Sequence, residues 1–140
     1  MSTLSAAAIA VTPAKIAATS AVIAVVAGGA AALITSSAQR NAIARALTGG
    51  DPAAGPALIR RYGCGGCHTV SGVAGADGKV AAPLDHLRQR VFIGGMLRNT
   101  PDNLVHWIVS PRRYAPRTAM PETGISEAEA RDIAAFLYSR

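Results

Sequence analysis

Cys64 and Cys67 are separated by two glycines and followed directly by His68. Thiols at that spacing can each form a thioether with one vinyl group of a single haem, and the adjacent imidazole can bind the iron. Gly65 and Gly66 would let the backbone run close to the porphyrin edge. The chain has no other cysteine, so one motif uses both. A zinc site would need two more ligands, and only His86 and His106 remain to supply them, at no recognised spacing. A thioredoxin-like pair should follow a strand and open a helix in a βαβ context, which this stretch does not offer. The expected cofactor is one covalently attached haem c.

The iron's other face needs a second ligand or stays open. Met1 precedes the apolar N-terminal run, leaving Met96 and Met120, with His86 and His106 as alternatives. Met120 lies in Arg117-Thr118-Ala119-Met120-Pro121, a segment expected to lie free of helix between two helices, where Pro121 keeps the backbone extended. That context makes Met120 the expected distal ligand and Met96, after Gly94-Gly95, its competitor or a loop core residue. His106 reads as a partly exposed helix histidine, and His86 either as a propionate partner or, as for most lone histidines, as a residue with no such role. With both axial positions filled, the iron exchanges electrons and leaves no site for substrate. The chain is then an electron carrier, not a catalyst on its own.

The elements that must hold these groups are helices, and the expected class is all-α. Asp51-Pro52 is expected to start a helix running to about Tyr62, with Gly63 stopping it before the motif. Gly72, Gly75 and Gly78 mark a loop. Thr100-Pro101-Asp102 opens a second helix carrying Leu104, Val105, Trp107 and Ile108, which Pro111 ends. Ser126-Glu127-Ala128-Glu129 is a capping box, Ile125 its hydrophobic staple, and Ile133, Phe136 and Leu137 one apolar face. No stretch alternates well enough to be a strand. Residues 51–140 form a small domain for a core of protein alone, and a covalent haem adds apolar surface.

Ahead of that domain, residues 1–15 form an N-terminal segment and 16–35 an expected transmembrane anchor. Ile16 to Ile34 carries no charge and only Thr19 and Ser20 as polar residues. Its 19 residues approach the roughly 20 that a spanning helix needs. The competing reading is a signal peptide cut after Ser36-Ser37-Ala38; its apolar core should be shorter, so the uncleaved anchor is preferred. Ala24, Gly28 and Ala32 recur every four residues, as in helices that pack closely in lipid or simply in an Ala-rich span. Residues 36–50 read as a linker with a short helical stretch from Asn41 to Leu47. Lys15 against Arg40 and Arg45 slightly opposes the orientation that haem attachment outside the cytoplasm demands.

The net charge is +6, and Arg112, Arg113 and Arg117 form the densest basic cluster. It reads as a rim that meets acidic redox partners, or as a solvated loop or a set of propionate partners. Nucleic-acid binding is not expected, since the basic residues are scattered and the few aromatics do not interleave with them.

Tyr62-Gly63-Cys64 to His68-Thr69-Val70, Pro83-Leu84, Leu87 to Arg90, Gly94-Gly95-Met96-Leu97-Arg98-Asn99-Thr100-Pro101, Asn103-Leu104, Trp107-Ile108, Pro111 and Met120-Pro121 carry a family resemblance. Over 53–140 the chain resembles the class I c-type cytochromes, in particular the cytochrome c domain fused to subunit II of caa-type haem–copper oxidases. The resemblance implies that Met120 is the distal ligand and that the Pro83 carbonyl accepts a hydrogen bond from His68. It also implies that Trp107 and Asn99 lie near the haem and its propionates. The family's Gly-Pro-Asp-Leu is here Ala82-Pro83-Leu84-Asp85, and no ligand cluster for a copper-binding domain exists.

The expected protein is thus a membrane-anchored monohaem cytochrome c, inner-membrane and single-pass, with its domain facing the periplasm. It would pass single electrons within a respiratory chain, to or as part of a haem–copper terminal oxidase. Its partners would be an integral membrane respiratory complex, other redox proteins and membrane lipid. The alternatives are the cytochrome subunit of a periplasmic dehydrogenase, a ligand-binding haem sensor that takes CO readily, and an accessory subunit with a mainly structural role.

Overall fold

The computed structural model describes residues 13–140, and their side chains at 25–29 and 32–140. The expected N-terminal segment therefore falls largely outside the described residues, as do the side chains of Ala24 and of many other positions in the expected anchor. The chain divides into two units, Met1–Ser36 and Ser37–Arg140. Among the described residues, no helix is long and apolar enough to cross a membrane.

Helix α1 runs without a break over Pro13–Thr48. The expected linker is therefore not a separate connector: from Ser37 onward, the helix belongs to the second unit. Ala44 and Thr48, one turn apart, are each 1% exposed. The physical reason is helical spacing, which puts this pair on one buried face while Ile43 and Leu47 stay exposed. The Thr48 hydroxyl donates to the Ala44 carbonyl at 2.8 Å and accepts from Gly50 N–H at 3.2 Å. Gly49, at φ 72°, ends the helix. Arg131 then donates to the Thr48 carbonyl at 3.1 Å, closing a helix end that would otherwise lack a partner.

Asp51-Pro52 makes a turn and not a helix start. The Asp51 carboxylate accepts from Ala53 N–H at 2.9 Å and from Arg45 at 2.6 Å, while its own N–H donates to Asp132 at 2.6 Å. These bonds commit Asp51 to a turn, and α2 begins only at Gly55–Arg61. Tyr62 caps its end, and Gly63 at φ 68° carries the chain onward.

The rest of the unit combines short helices and one hairpin with long irregular stretches at 67–86 and 115–126. β1 (Phe92–Ile93) and β2 (Leu97–Arg98) pair antiparallel, Ile93 opposite Leu97. Strands this short carry no alternation to read, and the Gly94-Gly95 turn at φ 55° and 71° creates them. α3 spans Pro101–Val109, with the Thr100 side chain accepting from Asn103 N–H. Pro111 ends α3 and opens a further short helix, α4 (Pro111–Tyr114), because its fixed φ suits a first helical position.

α5 (Glu127–Tyr138) carries the expected capping box. It packs against α2 and α3. Ile125, Ile133, Phe136 and Leu137 are all buried, at about 1.5–3 kcal/mol for each large side chain removed from water. A second clamp joins α5 to α2: Glu129 accepts from the Tyr62 hydroxyl at 2.9 Å and from Arg61 at 3.0 Å.

Candidate haem attachment site

The motif stands on a 3₁₀ turn, Cys64–Gly66, that follows α2 directly. Cys67 N–H and His68 N–H both donate to the Cys64 carbonyl, at 3.2 and 3.0 Å. Cys64 and Cys67 are free thiols, one half-buried and one exposed. Burial pushes the Cys64 thiol up from its ordinary value.

Gly65 serves the chain's own packing. A Cβ there would stand 2.7 Å from Ala76 Cα, and one at Gly78 would stand 2.5 Å from the Gly66 carbonyl carbon. Gly66, by contrast, faces open space. The loop over 70–78 is therefore a tight cradle beneath the motif, closed by Val70 N–H to the Ala76 carbonyl at 2.9 Å and Gly78 N–H to the Gly65 carbonyl at 3.0 Å. Val70, Val73 and Ala76, spaced every third residue, are its buried feet.

His68 is oriented from behind. Its Nδ1–H donates to the Ala82 carbonyl at 2.7 Å, which fixes the tautomer and leaves the Nε2 lone pair for a metal. The resemblance placed this bond on Pro83, one residue on. The strap over 81–85 is pinned by Ala81 N–H to the Cys67 carbonyl and Leu84 N–H to the Thr69 carbonyl, both at 2.9 Å. Those two bonds turn the Ala82 carbonyl toward His68, while the Pro83 carbonyl accepts from Arg90 instead. Asp85 completes the strap, accepting from Ser71 N–H at 3.0 Å and Ser71 O–H at 2.8 Å. These bonds from Ser71 hold its carboxyl below the usual range.

Asn99 does not have a donor to offer a propionate. Its amide donates to the Leu87 carbonyl at 2.7 Å and the Arg90 carbonyl at 2.9 Å, and its oxygen accepts from the Tyr138 hydroxyl at 2.7 Å. Trp107 is buried in α3 with its ring against Gly94, where a Cβ would meet it at 2.6 Å. Met120 is half-buried and borders the same hydrophobic cluster as Cys64 and Leu84. Met96 sits on the hairpin turn at 57% exposure. His86 and His106 are exposed, His86 in a left-handed conformation at φ 56°.

The donor set fits a covalent haem. Two free thiols one turn apart adjoin an imidazole whose second nitrogen is already committed to a carbonyl. Among the described residues, no three His, Cys, Asp or Glu side chains gather as they would for a metal ion held by protein alone. Residues 52–140 match the Cytochrome c family, and the chain belongs to it. Neither curated proteins nor solved structures give a match. The protein is accordingly an electron-transfer haem protein with the class I cytochrome c fold and covalently attached haem c. Sequence reasoning missed Arg90, Ala82 and Tyr138; no spacing marks them, because each acts across the fold.

Proposed function

We propose that this protein is a membrane-anchored monohaem cytochrome c that delivers single electrons to, or within, a haem–copper terminal oxidase. The observation that carries the electron-transfer part is the committed His68, whose Nδ1 bond to Ala82 leaves one nitrogen for iron beside two free thiols. Bound haem c supplies a one-electron ferric/ferrous couple. Cys64 and Cys67 would hold it, and His68 through Nε2 and Met120 through its thioether would serve as the iron ligands. A thioether favours the ferrous state and raises the potential.

Anchoring is supported by the uncharged Ile16–Ile34 run and by Val25, Val26, Leu33 and Ile34, which stand 65–75% exposed on α1. Within the soluble unit, Arg112, Arg113 and Arg117 are exposed and form no ion pair among the described residues. They form the rim that steers an acidic partner toward the Met120 side. The Asn99-Thr100-Pro101 stretch with its later Trp107 and Pro111 supports the oxidase branch.

The test is gentle detergent extraction of native membranes, capture of the tagged chain, and mass identification of what travels with it. Stoichiometric haem–copper oxidase subunits are expected. A substrate-oxidising dehydrogenase in their place, or recovery of the chain without detergent, overturns the corresponding half of the proposal.

A further inference from the structure

A set of hydrogen bonds, joined through the backbone of the 82–85 strap, links the last turn of α5 to the back of His68. The Tyr138 hydroxyl donates to Asn99 Oδ1 at 2.7 Å. Asn99 Nδ2 donates to the Leu87 and Arg90 carbonyls at 2.7 and 2.9 Å. The Arg90 guanidinium donates to the Pro83 carbonyl and, at 3.3 Å, to the Asp85 carbonyl. The carbonyl immediately before these, Ala82, accepts from His68 at 2.7 Å.

We propose that Tyr138, Asn99 and Arg90 are positioning residues for His68: together they hold the 82–85 strap so that the Ala82 carbonyl sets the basicity and orientation of the imidazole. The role requires His68 as an iron ligand and is independent of the oxidase partnership.

The chain of bonds has a rigid end and a responsive one. Tyr138 is 6% exposed, in a helix packed against α2 and α3, so its hydroxyl has a fixed position. Asn99 is saturated, with both N–H groups and its oxygen engaged, so it transmits that position to the 3₁₀ turn Leu87–Gln89 and to Arg90. Arg90 reaches two carbonyls of the strap through a single nitrogen, Nη2, which stands one bond farther from Cα than a lysine ammonium would. At the responsive end, a shorter and straighter Nδ1–H···O=C bond makes the imidazole a stronger donor. A stronger donor favours the ferric form, so loosening the strap should shift the couple toward the ferrous form.

The experiment uses the full-length haem-loaded protein and three variants: Tyr138→Phe, which removes one hydroxyl; Arg90→Lys, which keeps the charge and shortens the reach to the strap; and Arg88→Lys. Arg88 is an exposed cation of the same 3₁₀ turn with no bond to the strap. Midpoint potential is read by spectroelectrochemical titration, and imidazole orientation by the haem-methyl shifts in ferric NMR spectra. Tyr138→Phe and Arg90→Lys should each move the ferric/ferrous ratio at fixed potential about threefold toward ferrous and alter the methyl shifts. Combined, they should give less than the sum, because they interrupt one chain of contacts. Arg88→Lys should change neither readout. Wild-type potential and methyl shifts in both strap variants, with only a lowered Tm, would reduce these residues to structural ties. Should Tyr138→Phe fail to accumulate, Arg90→Lys alone decides the matter.

Discussion

The two sides of the candidate site are built by opposite means. On the His68 side, the strap and the cradle are cross-tied: Cys67 to Ala81, Thr69 to Leu84, Ser71 to Asp85, Gly65 to Gly78, and Arg90 to Pro83. On the Met120 side, the chain from Pro116 to Ile125 makes two hydrogen bonds, Thr118 N–H to the Ala115 carbonyl at 2.9 Å and Met120 N–H to the Thr118 hydroxyl at 3.2 Å. His68 is held in one orientation by its bond to the Ala82 carbonyl. Met120, the proposed second ligand, rides on a segment whose position depends on packing against the hydrophobic cluster. A loosely tied ligand segment is the part of a fold that opens at least cost.

The largest expected contrast comes from deleting each ligand. His68→Ala removes the group around which the strap is arranged, and covalent holoprotein should not accumulate. Met120→Ala should accumulate with its haem attached and, when reduced, bind CO, read as a shift in the optical spectrum. Met96→Leu should leave the spectrum unchanged. CO binding in the wild type at the level of Met120→Ala would instead favour the sensor reading.

A smaller contrast tests the ties themselves. Gly78→Ala puts a methyl group 2.5 Å from the Gly66 carbonyl, backbone against backbone, and should cost about 3 kcal/mol or more. Gly124→Ala, on the Met120 side, meets nothing within 4 Å but sits at φ 73° and should cost about 1–2 kcal/mol for conformation alone. Denaturant unfolding of the two holoproteins measures the difference, and equal costs would mean that the cradle yields.

The smallest effect is in acid. Bonds from Ser71 lower Asp85 below its ordinary 3.8, so the folded state holds the carboxylate more readily than the unfolded chain does. Its contribution is therefore present above about pH 4 and is lost as pH falls through the lowered value. Asp85→Asn should flatten the acid limb of Tm against pH while leaving the neutral-pH spectrum intact.

Much of the helical frame was legible because its signals are local. The Thr100 and Ser126 caps, the Ile125 staple and the stop at Gly63 each involve residues within a turn of one another, and each is present. The Asp51-Pro52 cap was misread because the competing partners, Arg45 and Asp132, are distant in sequence or lie outside the pattern. The hairpin escaped because two-residue strands have no period. Val70, Val73 and Ala76 lie in no regular element, yet all three are buried while their loop neighbours Ser71, Gly72, Ala74 and Gly75 are exposed. Asn99 was not legible as a saturated tie, since its three partners come from positions 87, 90 and 138.

Residue types and local spacing were sufficient, without coordinates, for the haem chemistry, the all-helical class and the starts of α3 and α5. Thioether attachment and helix capping are decided within a few consecutive residues, and covalent continuity guarantees their proximity. Which carbonyl orients His68, which methionine packs against the core, and what Asn99 and Arg90 hold were decided only by the tertiary structure. Those depend on hydrogen bonds between segments tens of residues apart, and such bonds form only where packing has already brought a donor to within about 3 Å of its acceptor.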